Sequence, residues 1–214
     1  LPYGMVCCSA QYAGVWMMKQ PNLTADDWAA AALDAIARGG LAAVRVETLA
    51  RELKVTKGSF YWHFTNRKAL LNTALELWET RETDDIIALA ETIPDPRKRI
   101  QAVFRAANSS SNQGRLLLAL AAASDDPDVG PFMARIAERR LQFLTDCYTA
   151  LGLPADEGRR WATFAYSTFV GSLQLIRDNP DALPQGRDLN EYLRLCINTL
   201  IPRQPAWSWL RKAG

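Results

Sequence analysis

The chain has 214 residues, 49% hydrophobic and 22% charged, which excludes a disordered or fibrous protein and leaves room for one large domain or two small ones. Four cysteines (Cys7, Cys8, Cys147 and Cys196) fit neither a disulfide framework nor a CxxC metal site, and the one histidine argues against zinc. A reducing, cytoplasmic setting with no metal and no cofactor is expected, and with no apolar run long enough to span a bilayer, no membrane partner.

The net charge of +2 is unevenly spread. Between Arg45 and Lys68, six basic residues (Arg45, Arg51, Lys54, Lys57, Arg67, Lys68) stand against Glu47 and Glu52, a local balance of +4. From Ala69 to Leu200, fourteen basic and eighteen acidic residues give −4. A basic patch on an otherwise acidic chain fits a polyanion partner, although a solvated face kept for solubility carries the same charges.

Residues 1–20, LPYGMVCCSAQYAGVWMMKQ, are apolar and rich in small residues but lack the basic start and the cleavage pattern of a secretory signal. With Leu1 at the start and Met17-Met18 further on, they read as an extension of doubtful origin, and no function rests on them.

Helices follow. Thr24 caps a first one whose Asp26 and Asp27 suit its positive end, with Trp28, Ala32 and Ile36 repeating at helical spacing until Gly39-Gly40. A short second helix sets Val46, Leu49, Ala50 and Leu53 on one face. After the KVT connection, Thr56 caps a third helix in which Phe60 and Phe64 point the same way. Asn66 caps a long fourth, with an apolar stripe of Leu70, Leu71, Ala74, Leu75 and Trp78. The second and third helices, joined by a tight turn, form a helix-turn-helix pattern.

Within VTKGSFYWHFTNRKALL (Val55–Leu71) this arrangement separates two kinds of residue. Phe60 and Phe64 dock the third helix on its partners, leaving Lys57, Ser59, Tyr61, Trp62 and His63 on its other faces, as a helix that reads DNA requires. Gly58, without a side chain, lets the first turn come close to a phosphate or base edge. Tyr61 is expected on a phosphate. Trp62 either faces DNA or packs under the fourth helix.

This run, preceded by VETLARELK, resembles the DNA-binding signature of the TetR family of transcriptional regulators over about Thr24 to Leu77. The resemblance implies that Tyr61 and Arg67 touch phosphates and that Arg45, Thr56, Lys57, Gly58, Ser59, Trp62 and His63 belong to the same DNA face. Two positions depart from the family pattern. Lys54 stands where a turn glycine is frequent, which predicts slight strain, and Arg45 stands where a small hydroxyl residue usually caps the second helix.

Beyond it, breaks at TIPDP, NSSSNQG, SDDPDVGP, LGLPADEG and RDNPDALPQG divide the chain into helices at roughly 66–91, 96–108, 114–123, 128–151, 155–177 and 188–200. Composition alone gives a helical bundle. The resemblance implies an all-α protein: a helix-turn-helix domain at 21–67, an effector-binding and dimerisation domain at 68–202 and a tail at 203–214. Wall candidates for an effector site are Trp78, Phe104, Leu117, Leu120, Phe143, Tyr148, Phe164 and Tyr166, with Asn108, Gln113 and Gln174 as polar anchors. Residues of this kind also pack as ordinary core. For a homodimer the candidates are two stripes, Trp161, Ala165, Phe169, Ser172 and Ile176, then Leu189, Tyr192, Leu193, Cys196 and Leu200, with Gly171 permitting close approach. Ordinary core is the alternative.

An enzyme is not expected. His63 sits between two aromatics, no GxSxG, P-loop or Rossmann glycine pattern occurs, and Asp84-Asp85 and Asp125-Asp126 fall near helix ends or loops. A helical adaptor would leave the basic aromatic helix unexplained. The expected protein is a DNA-binding regulator, most often a repressor in that family, released from its double-stranded operator by a small apolar or aromatic effector.

Overall fold

A computed structural model describes residues 23–107, 111–179, 181–182, 184 and 186–202. The expected extension at 1–20 and tail at 203–214 lie outside the described residues, as does Asn108. Every regular element among the described residues is helical.

The N-terminal elements start where their capping residues stand. Thr24 accepts the Asp27 N–H at 3.2 Å and donates its own N–H to Asp27 Oδ2 at 2.8 Å, a reciprocal box that opens α1 (Ala25–Gly39). Hydrogen bonds from Thr24 hold the Asp27 carboxyl below its ordinary range. Gly40, at φ 67°, ends the helix with its N–H on the Ile36 carbonyl. A 3₁₀ turn (Leu41–Ala43) leads to α2 (Val46–Glu52). Thr56 caps α3 (Lys57–Tyr61), and Asn66 caps α4 (Arg67–Glu79) by accepting from Ala69 N at 2.9 Å.

Two expectations need correction. The third helix ends at Tyr61, so Phe64 lies beyond it; Phe64 is still buried, its N–H on the Phe60 carbonyl at 2.9 Å. The expected single helix at 66–91 is interrupted: α4 passes into a π-turn (Thr80–Asp84) before α5 (Asp85–Glu91). Trp78 and Thr83 are both buried, although five positions would set them about 140° apart on a regular helix. The wider π-turn lets both face inward.

The remaining helices are α6 (Pro96–Ala107), α7 (Ser111–Ala121), α8 (Gly130–Ala150), α9 (Ala155–Asp178) and α10 (Gly186–Leu200). The N-terminal core is built on Trp28, Ile36, Leu49, Phe60, Leu70, Leu71 and Leu75, all fully buried. Each such apolar side chain is worth about 1.5–3 kcal/mol when removed from water. The same cluster continues through Leu116, Leu117, Leu118 and Leu120 of α7 to Ile136 of α8 and Leu173 of α9, so α1 is packed between α4 and α7. A second cluster joins Ile100, Phe104, Phe143, Tyr148, Ala162, Ala165 and Leu200.

Candidate nucleic-acid interface and the cavity behind it

The turn between α2 and α3 is made by Lys54 at φ 57°, the left-handed conformation that the glycine-to-lysine departure predicts would be strained. It orients α3 so that Phe60 enters the core edge-on against Trp28 at 5.4 Å, with Phe64 at 5.5 Å. The opposite faces are open: Tyr61 is 59% exposed and Trp62 88%. This removes the alternative in which Trp62 packs under the fourth helix. His63 is also exposed, and Ser59 is half-buried with its N–H on the Thr56 hydroxyl. A Cβ at Gly58 would meet only Thr56 Oγ1 at 3.6 Å, an ordinary contact, so packing within the chain does not demand glycine there. Close approach of a partner remains a reason for it.

Three of the basic residues, Lys57, Arg67 and Arg45, are already engaged. Lys57 Nζ lies 2.5 Å from Glu47 Oε1, a pairing that raises the lysine and lowers the carboxylate from their ordinary values. Any anion bound by Lys57 competes with Glu47, which the sequence reading counted only as local charge. Arg67 donates Nε to the Val44 carbonyl at 2.9 Å and Nη2 to the Leu41 carbonyl at 2.5 Å, tying the corner between α1 and α2 to the start of α4. Arg45 caps nothing with its side chain and directs Nε to the Ala42 carbonyl at 3.3 Å.

Behind this face, a cavity of about 80 Å³ opens where α4, the π-turn, α5, α6, α7, α8 and α9 meet. Five expected wall residues line it: Trp78, Phe104, Leu117, Phe143 and Tyr166. Three do not. Leu120 is fully buried in the N-terminal cluster; Tyr148 is fully buried with its hydroxyl donating to the Leu200 carbonyl at 2.7 Å; Phe164 is 51% exposed. Burial pushes the Tyr148 hydroxyl upward in pKa and the neighbouring Cys147 thiol to about 11, so both are neutral packing groups. Gln174 donates to Asp178 at 2.6 Å instead of reaching the cavity. The side chain of Gln113, like Asn108, lies outside the described residues. Missed by sequence reasoning were Glu82, Thr83 and Arg140, which supply the polar side of the cavity, and Gly114.

The expected dimer stripe on α9 also needs correction. Ala165 is fully buried and lines the cavity together with Phe169. Ser172 contacts Tyr192 at 3.2 Å, and both, with Leu193 and Cys196, border a groove between α9 and α10 of the same chain. Trp161 is half-buried near Tyr148, with ring centroids 6.0 Å apart. Up to Ser172 the stripe repeats at helical spacing because it faces the chain's own core, while Ile176 at its end is exposed. The exposed face lies roughly one residue further round the helix, where Phe164, Gly171 and Leu175 align, with Ile176 beside them and Leu195 on α10.

A two-helix reading unit with apolar residues inward and Tyr61, Trp62 and His63 outward, set in a basic segment, is that of a helix-turn-helix DNA-binding protein. Residues 29–74 match the family described as bacterial regulatory proteins, tetR family, so the chain carries the N-terminal DNA-binding domain of that family. A comparison with curated proteins finds no match. Solved structures share the fold. A TetR transcriptional regulator from Legionella pneumophila is 20% identical with a TM-score of 0.69, over 84% of this chain and 98% of that one. A transcriptional regulator from Saccharomonospora viridis, solved in complex with choline, is 19% identical with a TM-score of 0.69, over 83% and 94%. One from Rhodococcus sp. Rha1 is 19% identical with a TM-score of 0.67, over 83% and 96%.

Proposed function

We propose that the chain is a dimeric cytoplasmic repressor whose operator is released when a small molecule occupies the cavity bordered by Trp78. The observation that carries this reading is continuity: α4 starts with Arg67 beside the outward face of α3 and ends with Trp78 in the cavity wall. A ligand acts on the operator only through a difference in its affinity for the two states, and full reversal needs about 5.5 kcal/mol. The division into a DNA-binding unit at 21–67 and an effector and dimer unit at 68–202 belongs to this proposal.

On the DNA side, Tyr61 and Arg67 hold the backbone with help from Arg45, while Lys57, Ser59 and His63 approach base edges from a helix capped by Thr56. Arg67 retains donors for a phosphate after its two carbonyl bonds, and Trp62, with no packing role, belongs to the interface. One short reading helix contacts too few bases for specificity, so two copies must reach grooves about 34–36 Å apart. Phe164, Gly171, Leu175, Ile176 and Leu195 are the exposed residues available to pair them.

Selection from randomised DNA with the full chain tests this reading. A near-palindrome with half-sites one helical turn apart is the expected result, and a lone half-site would exclude the dimer. With that operator in hand, Arg67→Ala should lower the salt slope of binding by about one unit.

A further inference from the structure

The cavity holds one charge that the packing does not neutralise. Arg140 enters from α8, half-buried, and spends its donors on neutral acceptors: Nε on Thr83 Oγ1 at 3.0 Å and Nη2 on the Glu82 carbonyl at 3.1 Å. Its α8 neighbours Arg135 and Arg139 are each paired with a carboxylate, Glu79 at 2.6 Å and Asp84 at 2.8 Å. Among the described residues Arg140 has no such partner. A cation set into a largely apolar wall with no carboxylate bonded to it is unfavourable, and a guanidinium is shaped to bind a carboxylate through two donors.

We infer that the cavity takes a small carboxylic acid, its carboxylate on Arg140 and a compact apolar body against Phe104, Phe143 and Phe169. The inference rests on the effector reading and names the ligand class for the same cavity. Size limits the body. About 80 Å³ corresponds to roughly five to eight waters, room for a single ring and its carboxylate. One aromatic face that could receive a quaternary ammonium, that of Trp78, is already occupied, since the Arg140 guanidinium lies 5.4 Å from the centroid of its ring. Glu82 is the opposing charge among the described lining residues, and a cationic ligand is therefore the competing outcome. A carboxylate that draws Arg140 away from Thr83 and the Glu82 carbonyl also loosens the π-turn at the end of α4, which links this ligand class to the DNA face.

The test is titration of the full-length protein with benzoate and phenylacetate, with their isosteric amides and with choline, read by calorimetry and by release of the selected operator. At least one acid should bind about tenfold or more tightly than its amide, the preference expected of a hydrogen bond between charged groups. Arg140→Gln should abolish that preference and Arg140→Lys should keep part of it. The acid–amide comparison on the unaltered protein stands even where a variant fails to fold. The proposal falls if every amide matches its acid, if choline binds best, or if Arg140→Gln keeps the preference. An Ala165→Leu variant, which fills the cavity, separates the two levels. If neutral probes or choline release the operator and Ala165→Leu blocks them, the effector reading survives and the acid class does not. If no probe binds and Ala165→Leu changes no response, both fall.

Discussion

The DNA-facing unit and the cavity behind it are two sites built on opposite plans. The first gathers its residues within one short stretch, Arg45 to Arg67, and presents them outward over a filled core. The second draws on residues from Trp78 to Phe169 and exists because seven elements fail to close on one another. A surface site of this kind is specified by local spacing and exposure, whereas a void depends on how distant helices are rotated.

The largest test of this contrast is Trp28→Ala. Trp28 is fully buried against Phe60, and its loss should cost about 3–5 kcal/mol in urea unfolding. A loss below about 1 kcal/mol would mean that the N-terminal core is no better filled than the region behind it. Trp62→Ala should behave in the opposite way. With 88% of the residue exposed, stability should stay within about 0.5 kcal/mol, while operator affinity falls by about 1–2 kcal/mol. Unchanged affinity would remove Trp62 from the interface.

Lys54→Gly should raise stability by about 0.5–1 kcal/mol, since relief of the left-handed strain outweighs the added freedom of the unfolded chain. If ligand binding in the cavity also changed, the two sites would be less separate than their construction implies. Glu79→Gln should have the smallest effect, about 0.5–1 kcal/mol at neutral pH, because Arg135 is largely in solvent. Hydrogen bonding to Arg135 holds the folded Glu79 carboxyl below its ordinary 4.5. The stabilisation is therefore present above about pH 4.5 and is lost as pH falls through the lower folded value, so the two proteins should converge in acid. A gap that persists there would show that the side chain acts by packing.

The three N-terminal caps, Thr24, Thr56 and Asn66, stand where the sequence places them, because a cap is set by a residue and its neighbours three positions on. The same locality made Tyr61 legible as an exposed residue. The exposure of Trp62 was not decidable, since the shortening of α3 to Tyr61 depends on tertiary packing. In the C-terminal part, helix positions were readable but facings were not. Phe164 and Ala165 exchanged expected surroundings, one exposed and the other buried, because neighbours on a helix differ by about 100°, and periodicity does not say which stripe meets the chain's own core. Arg140 carried no sequence signal, being one arginine among several on α8, and only the π-turn gives it neutral partners.

Because α1 shares its core with α7, the DNA-facing helices do not form a separable folding unit. A fragment ending at Glu79 would strip Leu116, Leu117 and Leu120 from the cluster that contains Trp28 and Leu33. The whole cluster is then expected to melt in a single cooperative step, with amides of α1 and α7 exchanging hydrogen at a common, slowest rate. Operator and effector would thus each raise the melting temperature of the same transition, from opposite ends of the molecule.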